Sequence, residues 1–326
     1  MFLKICIYGA GAVGGLIGGV LAERSHTVCF IARGQQLKAL KARGCTLETG
    51  DQMFTVHPDC SDSPSDFGIQ DFVFIAVKAP ALPAVAEKIA PLVGKNTVII
   101  PAMNGIPWWF FNGFPESGPN VSLPMLDPGG LLSKAIPIQR LIGCVVHVAA
   151  SVPEPGLIRH VADNRLILGE ISGELSDRLQ NIVDLFKNTA LDVFATNQLR
   201  QEIWLKLLGN FNFAPISSLA NATNAQIGED PGLRKLALDM FEEAAAAGYR
   251  VGLQPGMTAK DRVDLGASMG NFRTSMLQDF DKARQPEIDA IVSAVIEIGQ
   301  ATGSPMPLSK AILSLLVQKA RGQGLY

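Results

Sequence analysis

KICIYGAGAVGGLIGGVLAE, running from Lys4 to Glu23, carries the reading on which the fold turns. Lys4 to Tyr8 is a short apolar strand. Gly9-Ala-Gly11-Ala12-Val13-Gly14 follows at once, and a small-residue helix over Gly15 to Glu23 comes next. Thr27 to Ala32 then forms a second apolar strand that ends in Arg33. This is the opening of a dinucleotide-binding βαβ unit, and its place between strand and helix is what gives the glycine spacing weight. Gly9 allows the tight turn, Gly11 lets the backbone approach a pyrophosphate, and Gly14 lets helix and strand pack closely. The helix N-terminus offers free N–H groups to the phosphates. Gly9, Gly11, Ala12, Val13 and Gly14 are therefore the candidate cofactor-binding residues of this turn.

Arg33 bears on which dinucleotide is held. An NAD site wants an Asp or Glu near the end of the second strand, to take the ribose hydroxyls. No acidic residue lies between Glu23 and Glu48, and Arg33 stands where that carboxylate would be. A cation there suits a 2′-phosphate, so NADP (NADPH) is expected as cofactor. The bland alternative is a solvated arginine closing an edge strand.

Bulk properties narrow the class. The chain has 326 residues, comfortable for two domains. A hydrophobic fraction of 48% and a charged fraction of 18% describe an ordinary folded protein. With a net charge of −2 and no basic stripe interleaved with aromatics, nucleic acid is not an expected partner. No signal segment precedes the first strand, and apolar runs such as Phe72 to Val77 are too short to cross a bilayer, so a cytoplasmic protein with no membrane partner is expected. Cys6, Cys29, Cys45, Cys60 and Cys144 are scattered without a CxxC pair and read as small buried hydrophobes in a reducing compartment. His26, His57, His147 and His160 show no metal-ligand spacing, so no metal is expected.

Further along, a short helix over Gln35–Arg43 leads to Cys45–Thr49 and Gln52–His57, which read as a hairpin turning at Gly50-Asp51. Phe72 to Val77 has the continuous apolar pattern of a strand buried on both faces, and Lys78-Ala-Pro80 ends it. A helix over Leu82–Leu92 precedes a buried strand at Thr97–Ile100. Asn104-Gly105 then breaks the chain at that strand's C-terminal end, where open parallel sheets bind ligands. Trp108, Trp109, Phe110 and Phe111 come next: either a packed aromatic cluster or, with one indole, a wall of the substrate cavity. Ile142–Ala150, Gly156–His160 and Arg165–Leu168 read as later, partly antiparallel strands. Leu175–Thr189 is an amphipathic helix, and 192–196 a short extended link. From Arg200 onward the chain is helical apart from loops, with Asp230-Pro231 as cap and first turn of a helix to about Val251. Further helices are expected at Thr258–Leu265, Asn271–Arg284, Glu287–Gly299 and Pro307–Arg321. The expected architecture is an α/β, Rossmann-like N-terminal domain over 1–185 and an all-helical domain over 186–326, with the active site in the cleft between them. The apolar Pro307–Val317 helix could finish a monomer core or meet a second copy, so a homodimer is left open.

A second constellation lies in the helical part, at Ile203-Trp-Leu-Lys206-Leu-Leu-Gly-Asn210-Phe-Asn212-Phe-Ala214. Lys206 and Asn210 are four apart, hence on one helix face. A lysine in such an apolar run either snorkels from the helix edge or occupies a partly buried polar site. Asn210 is similarly open, since a mid-helix asparagine wants a partner. Thr274-Ser275-Met-Leu-Gln-Asp279 and Pro286-Glu287-Ile-Asp289 follow. First-turn charge alone would account for Glu287.

Taken together, Gly9–Gly14, Val77-Lys78, Asn104-Gly105, Trp204-Leu-Lys206-Leu and Ser275-Met-Leu-Gln-Asp279 with Glu287-Ile-Asp289 make the chain resemble the ketopantoate reductases, the 2-dehydropantoate 2-reductases. The resemblance covers nearly the whole length. It implies NADPH-dependent reduction of 2-dehydropantoate to pantoate, a step of pantothenate biosynthesis, with a small-molecule keto acid as the binding partner. It implies Lys206 as general acid and Asn104 beside the nicotinamide and the reacting centre. Asn210, Ser275 and Glu287 would contact or orient the substrate, Glu287 within the catalytic group; Arg33 and Lys78 would serve the cofactor. An ordinary lysine is protonated at neutral pH and can stabilise the charge that grows on a ketone oxygen as hydride reaches its carbon. Ser275 suits the substrate carboxylate; Glu287 would accept a hydrogen bond or hold Lys206.

One position departs from the family pattern. A second asparagine, one helical turn after the first, usually meets the hydroxyl-bearing part of the substrate, and here that position is Ala214. Loss of a hydrogen bond built for a substrate hydroxyl weakens discrimination. An NADPH-dependent reductase of a different 2-keto acid is therefore the neighbouring expectation, and a non-catalytic NADPH-binding regulator the distant one.

Overall fold

The computed structural model describes residues 3–24, 26–115 and 119–326. The chain divides into two compact units. One comprises the chain up to Met103 together with Leu131–Leu199, and the other Asn104–Gly130 with Arg200–Tyr326.

In the first unit β1 (Lys4–Tyr8), α1 (Ala12–Glu23), β2 (Thr27–Ile31) and α2 (Gly34–Arg43) lead into the short strands β3 (Cys45–Thr49), β4 (Gln52–Val56) and β5 (Asp59–Ser61). Then come β6 (Gln70–Ile75), α3 (Leu82–Lys88) and β7 (Val93–Pro101). Five of these strands form a parallel sheet in the order β5-β2-β1-β6-β7. The continuous apolar runs explain it, because such strands are stable only with both faces covered. Residues Phe72 to Ile75 are buried in succession, as are Ile5 to Tyr8. The strand order reverses between β1 and β6, so the carboxyl ends of those two strands form the switch point.

The remainder of this unit is α4 (Leu131–Ala135), β8 (Ile142–Glu154), β9 (Leu157–Glu170), α5 (Asp177–Leu185) and β10 (Asp192–Ala195). A second sheet runs β10-β9-β3-β4, with β8 paired to β9. The expected hairpin is present: β3 and β4 are antiparallel from Cys45↔Val56 to Thr49↔Gln52, around Gly50 at φ +56°. The expected separate strands after Gly156 are one long strand, because irregular register along β8 lets pairing continue past His160. The expected extended link is β10, which pairs in parallel with β9 from Asp192↔Arg165 to Ala195↔Leu168. Helix α1 packs against both sheets. A Cβ on Gly18 would lie 2.1 Å from the Phe30 ring, and one on Gly19 would lie 2.2 Å from Leu47. Small residues thus let one helix serve two layers, with Ile7, Phe30, Phe74, Leu47, Ile158 and Leu168 in the common core.

The second unit is helical: α6 (Leu199–Ala220, whose first residue belongs to the other unit), α7 (Asn224–Glu229), α8 (Pro231–Arg250), α9 (Ala259–Ala267), α10 (Ser275–Asp281), α11 (Ala294–Thr302) and α12 (Pro307–Gly322). Asp230 caps α8 through Leu233 N–H, as its sequence suggests. Two elements differ from expectation. The 271–284 helix shrinks to α10 because Thr274 supplies an N-cap only at that point. The helix expected from Glu287 starts as a π-helical turn, Asp289–Ser293, before α11.

A single boundary after residue 185 does not describe these units. Pairing of β10 with β9 carries residues beyond 185 into the first unit. Asn104–Gly130 belongs with the helices, tied by Ile106 N–H to the Ala290 carbonyl at 2.8 Å.

Candidate active site

At the switch point of the first unit, the three fingerprint glycines meet different surroundings. Gly9 has φ +107°, and a Cβ there would lie 2.7 Å from Val77 and 3.0 Å from the Ala76 backbone. A Cβ on Gly14 would lie 2.1 Å from the Gly9 carbonyl oxygen. Both glycines are required by the protein itself. Gly11 is different: nothing lies within 4 Å of its would-be Cβ. No protein neighbour demands a glycine there, so the space it leaves suits a ligand. The amides of Gly9 and Ala10 both donate to the Ile31 carbonyl, whereas the first-turn amides of Ala12, Val13 and Gly14 can have no partner within α1. That first turn carries no acidic residue and Gly11 makes no side-chain cap. An open glycine before uncapped helix amides fits a dinucleotide pyrophosphate.

Arg33 and Lys78 stand near the same end of the sheet. Arg33 follows β2, is exposed, and precedes α2 in extended conformation (φ −136°). Burial pushes the Tyr8 phenol up, and the charge of Arg33 acts in the opposite sense. Lys78 is half-buried just after β6 and leads into a 3-10 turn, Ala79–Ala81. Gln36, not singled out in the sequence, braces the loop: its amide donates to Ala10 O at 2.9 Å and accepts from Gly156 N–H at 3.0 Å. A glutamine in a short surface helix gives no sequence signal of that kind.

In the second unit, α6 carries Lys206 and Asn210. Lys206 Nζ donates to Asn104 Oδ1 at 2.6 Å. The lysine thus engages a partly buried polar partner, one of the two readings its sequence context left open. Gly105, next to Asn104, has φ +86°, and a Cβ there would lie 2.6 Å from both the Cβ and the carbonyl oxygen of Ala290. That close approach lets Ile106 N–H reach the Ala290 oxygen. Ala290 lies in the π turn, whose winding departs from the ordinary i→i+4 ladder. Glu287 is three residues before Ala290 and only 8% exposed, more enclosed than a first-turn surface acid need be. One backbone contact therefore links the loop of Asn104 to the segment of Glu287.

Arg200, at the start of α6, holds the other end of that loop. Its Nε donates to Phe110 O and its Nη2 to Asn112 O, both at 2.8 Å, and its guanidinium lies 5.1 Å from the Phe114 ring centre. Burial pushes its pKa down. Phe110 and Phe111 meet edge to face at 5.0 Å, and Trp109 is 2% exposed. This is the packed aromatic cluster; Trp108 is half-buried beside it.

Asn210 and Ser275 are less engaged. Asn210 is half-buried and Ser275 is the exposed first residue of α10. Neither side chain forms a hydrogen bond among the described residues. Ala214 is buried one turn beyond Asn210. Asn212 does not replace the missing amide, since it is fully buried and turned to Ala237 O on α8 at 3.4 Å. Among the described residues no cluster of His, Cys, Asp and Glu could hold a metal, and no helix is long and apolar enough to cross a membrane.

Comparison with known proteins bears on the family and the fold. The family model for ketopantoate reductase PanE/ApbA matches residues 5–108, and that for its C-terminal part matches residues 198–320. A 2-dehydropantoate 2-reductase of Mesorhizobium japonicum is 39% identical over 99% of this chain and 100% of its own. A solved structure from Ralstonia solanacearum MolK2, described as a candidate ketopantoate reductase, is 39% identical with a TM-score of 0.94, covering 100% of both chains. The 2-dehydropantoate 2-reductase of Geobacter metallireducens GS-15 is 26% identical with a TM-score of 0.85, over 97% of this chain and 99% of its own.

Proposed function

This chain belongs to the ketopantoate reductase family and is an oxidoreductase, and from that premise we propose that it reduces 2-dehydropantoate to pantoate with NADPH. The observation that carries the reading is the Lys206–Asn104 contact: a positioned ammonium is the group this reduction needs at the ketone oxygen.

When bound, the dinucleotide would supply hydride for the ketone carbon. Every other requirement falls on the protein. Gly11 and the first-turn amides of α1, Ala12 to Gly14, would hold the pyrophosphate, and Lys78, just after β6, would assist. Arg33 pairs with the 2′-phosphate, since a planar guanidinium offers paired donors to phosphate oxygens. Lys206 holds a proton at Nζ, stabilises the negative charge developing on the carbonyl oxygen, and gives that proton up to form the hydroxyl. Asn104 fixes Nζ through its Oδ1 and keeps its amide N–H available to the substrate. Asn210 and Ser275 offer open polar groups to the substrate, Ser275 to its carboxylate. Glu287, being anionic, repels that carboxylate and serves instead as an acceptor for a substrate hydroxyl or for Lys206.

Ala214 favours a neighbouring substrate as the second reading. With a methyl at 214 and Asn212 committed to Ala237, neither residue offers the hydrogen bond that would single out the substrate hydroxyl, so another branched 2-keto acid is accepted comparably. The test is a panel of 2-keto acids with NADPH and NADH, followed by nicotinamide absorbance. We expect 2-dehydropantoate turnover and a preference for NADPH of at least about 10-fold in kcat/KM, as one charged hydrogen-bonding pair provides. No turnover with any 2-keto acid would remove the catalytic reading, and equal efficiency with both cofactors would remove Arg33 from its role.

A further inference from the structure

Helix α9 lays an arginine against the helix that carries Lys206. A Cβ on Gly209 would fall 1.3 Å from Arg262 Nη2 and 2.3 Å from its Cζ. The guanidinium thus occupies the place of a missing side chain on α6. Four residues further along both helices, Phe213 meets Gly266 in the same way. Gly209 is one residue before Asn210 and three after Lys206. On an α-helix the second spacing is about 4.5 Å of rise and about 60° of rotation. The guanidinium therefore flanks the face that presents the ammonium and the open Asn210 amide.

Among the described residues Arg262 has no counter-charge. Its Nε is enclosed and lacks an acceptor, and its side chain makes no hydrogen bond or ion pair among the described residues. Its outer nitrogens are not enclosed in this way. Burial lowers its proton affinity, with no acidic residue offsetting that effect. Other half-buried arginines behave differently: Arg140 and Arg200 are satisfied by backbone carbonyls, and Arg178, Arg234 and Arg273 pair with Glu170, Asp264 and Asp281. Retaining an unpaired, partly desolvated cation is unfavourable unless something anionic completes it.

Building on the keto-acid reductase reading above, we propose that Arg262 is a specificity-determining residue that receives a carboxylate of the substrate, with Gly209 as the vacancy that lets it lie against α6. A guanidinium fork matches a carboxylate in shape as well as charge. It offers an ionic contact on the helix where Ala214 has removed a neutral one. The carboxylate is either the one beside the ketone or a second one at the far end of a diacid.

The experiment compares wild type with R262Q, R262K and G209A. The substrates are a 2-keto monoacid that wild type reduces, its methyl ester, and a 2-keto diacid of similar length. For R262Q we expect KM for the relevant acid to rise about 10- to 100-fold, with kcat changed far less and NADPH affinity unchanged. A fall in acid-over-ester preference identifies the carboxylate beside the ketone. A fall confined to diacid-over-monoacid preference identifies the distal one. R262K should recover only part of the affinity, because it keeps the charge and loses the fork. G209A, whose new methyl displaces the guanidinium, should raise KM in the same direction while the arginine remains. Thermal melting identifies any variant that fails to fold, and G209A and R262K then carry the test. Wild-type-like KM and substrate ratios in the folded variants, or a loss confined to NADPH binding, would overturn the assignment. If wild type reduces no keto acid, the failure belongs to the reductase reading. Arg262 is then judged by whether the acid but not its ester protects wild type against thermal unfolding and leaves R262Q unprotected.

Discussion

Lys206 donates to the side-chain oxygen of Asn104 at 2.6 Å, across 102 positions of sequence. The ammonium is therefore aimed by a loop, not by its own helix alone. That loop is held at Gly105–Ile106 by Ala290 and at Phe110–Asn112 by Arg200.

Replacing Lys206 with methionine keeps the apolar stem and removes the proton. We expect kcat to fall about 10²- to 10⁴-fold, the range of a lost general acid or oxyanion partner, while NADPH binding stays within a factor of two or so by fluorescence titration. N104A should fall less, about 10-fold, because the lysine survives but loses its guide. Near-normal turnover of K206M would end the acid assignment.

The glycines of the nucleotide turn should separate by readout. G11A meets no protein atom within 4 Å, so its melting temperature should match wild type while NADPH affinity drops by about 10-fold or more, as the methyl holds the pyrophosphate away from the backbone. G14A would press on the Gly9 carbonyl at 2.1 Å and should cost about 1–3 kcal/mol of stability. Equal destabilisation by both, measured in urea, would contradict a ligand-reserved space at Gly11.

Gly105→Ala tests the link between Asn104 and the Glu287 segment. The backbone is at φ +86° and the methyl would meet Ala290 at 2.6 Å. Both effects push the loop outward, so we expect a loss of about 1–3 kcal/mol together with a lower kcat. Adding Ala290→Gly relieves only the side-chain clash, since the Ala290 carbonyl is equally close, and should restore stability only partly. Full recovery in the double variant would show that backbone strain plays no part.

Glu170 gives a pH signature confined to the first unit. Burial would raise its pKa, but hydrogen bonds from Arg178 and Ser176, with the charge of Arg178, outweigh it and leave the carboxyl below its ordinary value of 4.5. A depressed folded-state pKa contributes stability that is present above about pH 4.5 and is lost as pH falls through the folded-state value. E170Q should therefore be less stable than wild type at pH 7, and the gap should close on acidification below pH 4. A gap independent of pH would mean that packing, not the ion pair, is responsible.

Much of the first unit was legible in the chain because its signals are local. The apolar run at Phe72, the glycine spacing from Gly9 and the Gly50 turn each specify backbone conformation within a few residues, and each lies where its pattern suggests. Arg33 stands out for the same reason, as a cation at a strand end with no acid nearby. The family resemblance rested on Lys206, Asn104, Ser275 and Glu287 as residue types in order, not on their mutual distances. The less legible features are those that need two distant segments at once. Residues 192–195 carry too few side chains to declare a strand, and only β9 supplies their hydrogen-bond partners. Nothing in the residues around Arg262 marks the vacancy at Gly209 against which it lies.

By itself, then, the sequence determined the βαβ opening, the helical character after Arg200 and the chemical groups at hand, because strand and helix periodicity and glycine conformation are properties of neighbouring residues. Tertiary structure alone decided that Asn104 holds Lys206, that the loop from Asn104 joins the helical unit, and that Gly209 makes room for Arg262. Those outcomes depend on backbone approach and desolvation between segments far apart in the chain, for which no local pattern is a proxy.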